Sequence, residues 1–221
     1  MATFRVEEEL LAVVCVGSFN PAIFHPQWFI RMGLINEVDA AESSVKVLSH
    51  EVTDVSFCGI DLQCLPERLT FKTPNPARYE QLQDLLIRTL QILPHMPLRA
   101  CGINRALHYK LESEEYWHKI GHALVPKEPI WKPMFSDPRT RSVGLQQKRN
   151  GEFPGEINID VQPSIMHIPG LFVQSNWHYA VPESKTAGSC EAIVEYLRSE
   201  WTAASSQAKL VGETIFGKIQ P

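Results

Sequence analysis

Two histidines four residues apart are the most suggestive chemical groups in the sequence. His118 and His122 lie in a segment of helical periodicity, where this spacing places two imidazoles on one face, as metal ligands require. The zinc-protease signature needs a glutamate directly after the first histidine, and this chain has Lys119 there, so that activity is excluded. A metal would need further ligands, and the nearest are Glu114, Glu115 and His108. We therefore expect a helix surface without metal, with a metal at His118 and His122 as the alternative.

Polar side chains also alternate along the predicted strands of the second half. If Ile157, Ile159 and Val161 face the core, the residues between them face the opposite side of the sheet. The polar residues that this alternation collects are Asn104, His108, Gln146, Lys148, Asn158, Asp160, Gln162, Gln174, Asn176 and His178. Such hydrogen-bonding groups suit a polar ligand or the base edges and sugars of a nucleic acid. The alternative is the solvated face of a sheet.

A proline-rich segment between these strands and the preceding helix carries cations and aromatic side chains. Between positions 126 and 149 only Glu128 and Asp137 oppose six cations. These cations are Lys127, Lys132, Arg139, Arg141, Lys148 and Arg149. Trp131 and Phe135 lie among them. Cations interleaved with aromatics bind phosphate and stack on bases, or they form a loop that docks a protein, and the sequence leaves both possibilities open.

Other chemical signatures are missing from the sequence. It contains no nucleophile elbow, phosphate-binding loop, dinucleotide fingerprint or paired-cysteine metal spacing. The cysteines are odd in number and lie mostly within apolar strand or helix patterns, so we expect buried, reduced thiols at Cys15, Cys58, Cys64, Cys101 and Cys190. The first residues form an acidic run instead of a signal peptide, and no segment has the roughly 18 apolar residues that span a bilayer. These features predict a cytoplasmic protein with no membrane partner and no cofactor.

The elements that must position these groups form two similar series. The first consists of a buried strand up to residue 19, a short helix at 25–35, strands between 44 and 73, and a helix at 75–94. The second consists of a strand at 101–111, a helix at 114–125, strands at 142–149, 156–162 and 171–181, and a helix at 189–203. Residues 16–20 also resemble 101–104, and residues 29–33 resemble 117–121. The two series therefore indicate an internal repeat.

The sequence thus predicts an α+β fold with a duplicated strand-helix-antiparallel strands-helix unit. Two such units would form a long curved antiparallel sheet with the helices on one face. The predicted units are residues 1–96 and 97–204, followed by a loosely attached tail at 205–221, in one compact domain. This order of elements resembles the duplicated saddle of the TATA-binding-protein class or a helix-grip arrangement. The resemblance covers no sequence motif and implies no function.

Charge differs between the two predicted units. Residues 1–96 contain 7 cations and 12 anions, a net charge of −5, whereas residues 97–221 contain 14 and 13, a net charge of +1. We therefore expect the first unit to be a scaffold and the second to carry any site. The first hypothesis is a non-catalytic binding or assembly protein whose partner, another protein or a second copy, contacts the second-half sheet face and the 126–149 segment.

Two alternatives use the same half of the chain differently. A nucleic-acid or nucleotide binder would hold phosphate on the basic 127–149 segment, and its affinity would fall steeply with salt. An enzyme would use His108, His118, His122 or His178 as an acid or base. That mechanism requires a pocket that joins at least two of these histidines to an acidic partner.

Overall fold

The computed structural model describes residues 4–220, apart from the side chain of Thr186. Within residues 4–220 the chain forms one antiparallel sheet of nine strands and five α-helices, which confirms the α+β class. The strands are β1 Phe4–Gly17, β2 Ser44–Leu48, β3 Thr53–Phe57, β4 Ile60–Leu65, β5 Arg68–Thr73, β6 Leu98–Leu111, β7 Val143–Arg149, β8 Gly155–Pro163 and β9 Gly170–Ala180. The helices are α1 Pro26–Arg31, α2 Glu37–Ala41, α3 Tyr79–Ile92, α4 Glu114–Leu124 and α5 Ser189–Lys218.

The two long strands β1 and β6 pair with each other in the middle of the sheet. Their antiparallel register places Leu11 opposite Arg105 and Cys15 opposite Cys101. The order across the sheet is β2-β3-β4-β5-β1-β6-β9-β8-β7. Each half of the sheet therefore folds back as a meander that ends beside its own long strand.

Alternation along the strands assigns one face of the sheet to the core. Leu11, Val13 and Cys15 of β1 are fully buried, and they join helix side chains in a large apolar cluster that mixes both halves of the chain. A second cluster lies between α4, the second half of α5 and the strands β6, β8 and β9. The helices thus cover one side of the sheet. We call the opposite side of the sheet the open face, because none of the helices within residues 4–220 packs on it.

The last helix is longer than the sequence indicates. We predicted an end near residue 203 and a loosely attached tail from 205, but α5 continues unbroken to Lys218. Its later turns bury Ala208, Ile215 and Phe216 in the second cluster. Gly212 is needed there, because a Cβ at this position would lie 2.4 Å from the Tyr109 hydroxyl oxygen. Residues 205–218 are thus a packed part of α5.

The start of α4 follows the sequence signals closely. The Ser113 hydroxyl accepts a hydrogen bond from the Tyr116 amide at 3.1 Å, and Glu114 and Glu115 occupy the first turn. Tyr116 and Ile120 are buried against the sheet, so His118 and His122 lie toward the exposed side of the helix. Within residues 4–220, none of the helices combines the length and apolarity needed to cross a membrane.

The short sequence matches between the halves do not fall at equivalent positions. Gly17 is the last residue of β1, whereas Gly102 and Asn104 lie well inside β6. The resemblance between residues 16–20 and 101–104 therefore does not place the two glycines at equivalent points of their strands. The halves also differ in content, since α1 and α2 follow β1 whereas α4 alone follows β6. The duplication stays a prediction.

Candidate functional site

The open face of the second half carries the polar side chains that alternation predicted. One row crosses four strands in register, because Asn176 lies opposite both Asn104 and Asn158, and Asn158 lies opposite Gln146. The side-chain amides of this row form hydrogen bonds with one another. Asn176 Nδ2 donates to Asn104 Oδ1, and Gln146 Nε2 donates to Asn158 Oδ1 at 2.9 Å. Much of the row's hydrogen-bonding capacity is thus used within the sheet, which leaves less of it for a ligand.

The remaining predicted residues of this face lie beside that row. Asp160 is directly opposite Gln174, and His178 is opposite Glu156. Lys148 faces Glu156 from the other side, since β7 and β8 pair in that register. Opposite charges at facing positions of neighbouring strands stabilise a sheet surface. This part of the open face therefore resembles an internally balanced polar surface more than a charged groove.

His108 occupies the end of the open face nearest the start of β9. Its Nδ1 lies 2.8 Å from the Ser164 hydroxyl, and its ring is 4.7 Å from that of Phe172. Burial lowers the pKa of His108, although the Glu8 carboxylate acts in the opposite direction. Burial thus favours the neutral imidazole at His108. His118 and His122 lie on α4, on the other side of the sheet.

Arg149 lies on the helix side of the sheet and not with the other predicted residues. Its Nη2 is 2.8 Å from Glu200 of α5, and its guanidinium carbon is 4.8 Å from the centre of the Trp177 ring. Strand alternation explains this position, because Lys148 faces the open side and the next residue must face the helices. The Arg149 charge is thus engaged in holding α5 on the sheet.

The 126–142 loop presents large apolar side chains to solvent. Trp131 is 42% exposed and Phe135 is 55% exposed, as expected for a docking loop. The structure adds Ile130 and Met134, which are also exposed and which we did not select from the sequence. Apolar residues in a loop give no periodic signal that separates exposed side chains from buried ones. We call Ile130, Trp131, Met134 and Phe135 the apolar patch.

The loop that carries the apolar patch is held in place at its base. The Lys127 ammonium donates to the Thr140 hydroxyl, which donates to the Gly121 carbonyl oxygen at 2.6 Å. Within the loop the Trp131 amide donates to the Lys127 carbonyl at 2.8 Å, and the Phe135 amide donates to that of Trp131 at 3.0 Å. These bonds close the loop onto α4 and fix the turn that displays the patch.

A second apolar loop lies after β8 and was not expected from the sequence. Ile165 is 88% exposed, and Met166 and Ile168 are also exposed. The loop follows Pro163, which lines the same cleft as Arg139 and Thr140 of the 126–142 loop. Both loops therefore lie at one end of the second half, where β7 begins and β8 ends.

The cations of the predicted basic segment are mostly engaged by the chain itself. All six lie in the described part of the chain. Lys127 bonds to Thr140 and Arg149 pairs with Glu200, as described above. Lys132 pairs with Glu128 at 2.6 Å, and Arg139 pairs with Asp137 at 3.0 Å. Arg141 and Lys148 have no ion pair within residues 4–220, so three of the six cations, Lys132, Arg139 and Arg149, have a carboxylate partner and the other three do not.

Two depressions lie beside the 126–142 loop. The first is a cleft of about 200 Å³ between the loop, α4 and the ends of β7 and β8. His118, His122 and Asp137 line it, together with apolar side chains of the second cluster. The second is a groove of about 450 Å³ that Trp131, Phe135 and Arg141 line. It shares Lys127, Asp137, Pro138, Arg139 and Thr140 with the cleft.

The groups at the cleft do not favour the acid-base catalysis or metal binding considered for His118 and His122. No hydrogen bond or ion pair joins His118 or His122 to a carboxylate within residues 4–220, and Asp137 pairs with Arg139 instead. No group of three or more metal-ligating side chains is assembled in that part of the chain, so Glu114, Glu115 and His108 do not complete a site with the pair.

No family model and no curated protein matches this chain. What the chain binds therefore has to be inferred from the chemistry of the apolar patch, the cleft and the open face.

Proposed function

We propose that this chain is a non-catalytic binding protein that docks a protein partner on the apolar patch of its 126–142 loop. The observation that carries the proposal is the exposure of Ile130, Trp131, Met134 and Phe135 together on one ordered loop. Contiguous exposed apolar side chains mark interaction sites, and tryptophan is enriched among the residues that dominate binding energy. Burying one such side chain contributes about 1.5 to 3 kcal/mol.

The neighbouring groove supports a protein as the partner. Its volume of about 450 Å³ accepts a large side chain, and Trp131 and Phe135 form its apolar wall. Arg141, which lines the same groove, offers a cation for a carboxylate at its rim. Because backbone bonds already fix the loop, binding would require little further ordering.

A nucleic-acid partner is the less favoured alternative. Phosphate would have to compete with Glu128, Asp137 and Glu200 for cations that these carboxylates already neutralise. The carboxamide row on the open face is likewise bonded to itself. An enzymatic alternative would need a histidine paired with an acid, and His118 and His122 at the cleft have no carboxylate partner within residues 4–220.

We also infer that the protein works in the cytoplasm. Its five cysteines all lie within residues 4–220, and all are free thiols. Unpaired, mostly buried thiols are typical of proteins from reducing compartments.

We further infer that the two halves arose by duplication. In support, β1 and β6 pair antiparallel at the centre, and each half runs from its long strand through a helical segment and a meander to a helix. The start of β1 lies beside the last turns of α5, since Phe4 stacks on Phe216 with ring centres 3.9 Å apart. A circular permutant that opens at residues 94–96 should therefore fold with unchanged circular dichroism and a cooperative transition. An unfolded permutant would contradict equivalent halves.

A photo-crosslinking experiment tests partner docking. A photoreactive amino acid replaces Phe135 in the full chain, in the cells that produce it, and Val38 on α2 serves as a matched control because it is 70% exposed in the first half. We expect a discrete adduct with one protein from position 135 and none from position 38, and the adduct should persist at high salt.

Two outcomes would overturn the proposal. The first is equal, diffuse labelling from both positions, which would mean that the patch contacts nothing specific. The second is an adduct with nucleic acid that disappears as salt rises, which would favour the alternative partner.

A further inference from the structure

The cleft between α4 and the 126–142 loop opens directly onto the second core cluster. Its floor is formed by Ile120, Val161 and Leu171, which are buried members of that cluster. Val143 and Leu124 complete the apolar wall. A volume of about 200 Å³ exceeds the roughly 150 Å³ of an apolar cavity that accepts benzene, so the cleft has room for a small apolar group.

One wall of this cleft contains a buried cation. Lys127 is only 7% exposed, and its ammonium group donates to the Thr140 hydroxyl. No ion pair joins Lys127 to a carboxylate within residues 4–220. Asp137, the nearest acid in the cleft lining, pairs with Arg139 at 3.0 Å. The ammonium therefore has donors to spare and only a neutral hydroxyl as its partner.

A buried charge without a counter-charge is costly, and an anion in the cleft would offset that cost. Burial of an ammonium group is tolerated mainly when an opposite charge or several acceptors surround it. Arg139, His118 and His122 also line the cleft and add hydrogen-bond donors at its rim. The cleft thus combines an apolar floor with a cationic wall.

We propose that this cleft binds a small amphipathic carboxylate of roughly six to eight carbon atoms, with its apolar body on Ile120, Val161 and Leu171 and its carboxylate on the Lys127 ammonium. A single ammonium matches a monoanion, and the volume is too small for a nucleotide. The four residues of the apolar patch do not line this cleft, although the neighbouring groove shares Lys127, Asp137, Pro138, Arg139 and Thr140 with it. The proposal therefore does not rest on partner docking.

Three probes measure separately how the apolar chain and the carboxylate of the ligand contribute to binding. Octanoate carries both a chain and a carboxylate, 1-octanol carries the chain with a neutral hydroxyl group, and acetate carries the carboxylate with almost no chain. Each is titrated into the full chain by isothermal calorimetry. We expect octanoate to bind at one site per chain, and octanol and acetate each to bind at least about tenfold more weakly.

The variant that tests the charge is Lys127→Met, which keeps the length of the side chain and removes the ammonium. Octanoate should bind this variant at least about tenfold more weakly and no better than octanol. Its melting temperature should stay within a few degrees of that of the wild type, because removal of the unpaired buried cation offsets the loss of the bond to Thr140. Trp131→Ala serves as the matched control, and it should bind octanoate as the wild type does.

A second variant keeps the proposal falsifiable if Lys127→Met fails to fold. Val143→Phe fills the cleft from the start of β7 and should abolish octanoate binding while leaving Lys127 in place. Equal affinities of the wild type for octanoate and octanol would overturn the proposal. Undiminished octanoate binding by either cleft variant, or no binding to the wild type up to about 10 mM, would overturn it as well.

Discussion

At the scale of single residues, the ion pair of Arg105 and Glu9 places two charges at the edge of the apolar core. The Arg105 side chain is 8% exposed, its Nη1 donates to the Ser205 carbonyl at 2.9 Å, and its guanidinium lies 4.6 Å from the centre of the Tyr79 ring. Arg105 alternates with the buried Ile103 and Leu107 of β6, so it faces the core side of the sheet. Its contacts join β1, β6 and α5.

Removal of one member of this pair should destabilise the fold strongly. We expect Arg105→Ala to lower the free energy of unfolding by about 3 kcal/mol, because Glu9 is left as an uncompensated, mostly buried charge. Urea denaturation followed by circular dichroism measures this. Arg139→Ala is the control, since its pair with Asp137 is exposed, and it should cost about 0 to 1 kcal/mol. Equal small losses in both variants would contradict the assigned role.

The thiols should be unreactive in the folded chain. Burial raises the pKa of Cys58 to about 11, of Cys64 to about 12 and of Cys190 to about 11. The pKa of Cys101 is raised by its hydrogen bond with Cys15 and by burial. The thiolate is the reactive form, so a disulfide reagent at pH 8 should react slowly with the native chain. In denaturant the same reagent should label all five thiols rapidly.

The slow residual labelling should come from Cys58, which is the half-buried thiol. Cys58→Ser should remove that phase and leave the other thiols protected. Fast native labelling that survives this substitution would show that the core around Cys15 and Cys101 opens readily.

The alternation of side chains along the strands predicted which residues lie on the open face. The count of charges along residues 126–149 did not show that Arg149 faces the helices. Asn158 and Asn176 fall where a period of two puts them, because each strand contributes side chains alternately to both faces. We grouped Arg149 with the neighbouring cations of the sequence, although the same period of two places its side chain on the other face of the sheet from that of Lys148. The cleft could not be predicted, because α4, β7 and β8 meet there only after folding.

At the scale of elements, α5 joins the two apolar clusters. Its first turns bury Cys190, Ile193 and Leu197 in the large cluster, and its last turns bury Ile215 and Phe216 in the second. The helical signal beyond residue 204 was weak, since Ser205 and Ser206 interrupt the apolar stripe. The helix persists there because tertiary packing overrides local propensity.

Two glycines in this helix provide a matched test of its attachment. Gly212→Ala should destabilise the chain by about 1 to 3 kcal/mol, because the added Cβ would overlap the Tyr109 ring. Gly217→Ala meets nothing within 4 Å and should be neutral or stabilise by up to about 1 kcal/mol through helix propensity. Thermal denaturation of both variants checks this. Identical effects would mean that these turns do not pack on β6.

At the scale of the whole molecule, the polar groups that bond to one another and the exposed apolar side chains lie on different surfaces. The open face of the second half satisfies many of its own polar groups, whereas the apolar patch leaves Trp131 and Phe135 in solvent. We expected the sheet face and the loop to act together. We propose instead that the loop alone docks the partner, since the cost of exposing its apolar side chains is recovered when a partner covers them.

The affinity of the crosslinked partner for patch variants tests this account most directly. Trp131→Ala should weaken binding by about thirtyfold at both low and high salt, because the lost contact is apolar. Leu210→Ala is the matched control, since Leu210 is 55% exposed on α5, and it should bind as the wild type does. Full affinity in Trp131→Ala, or affinity that vanishes with salt in the wild type, would contradict docking through the apolar patch.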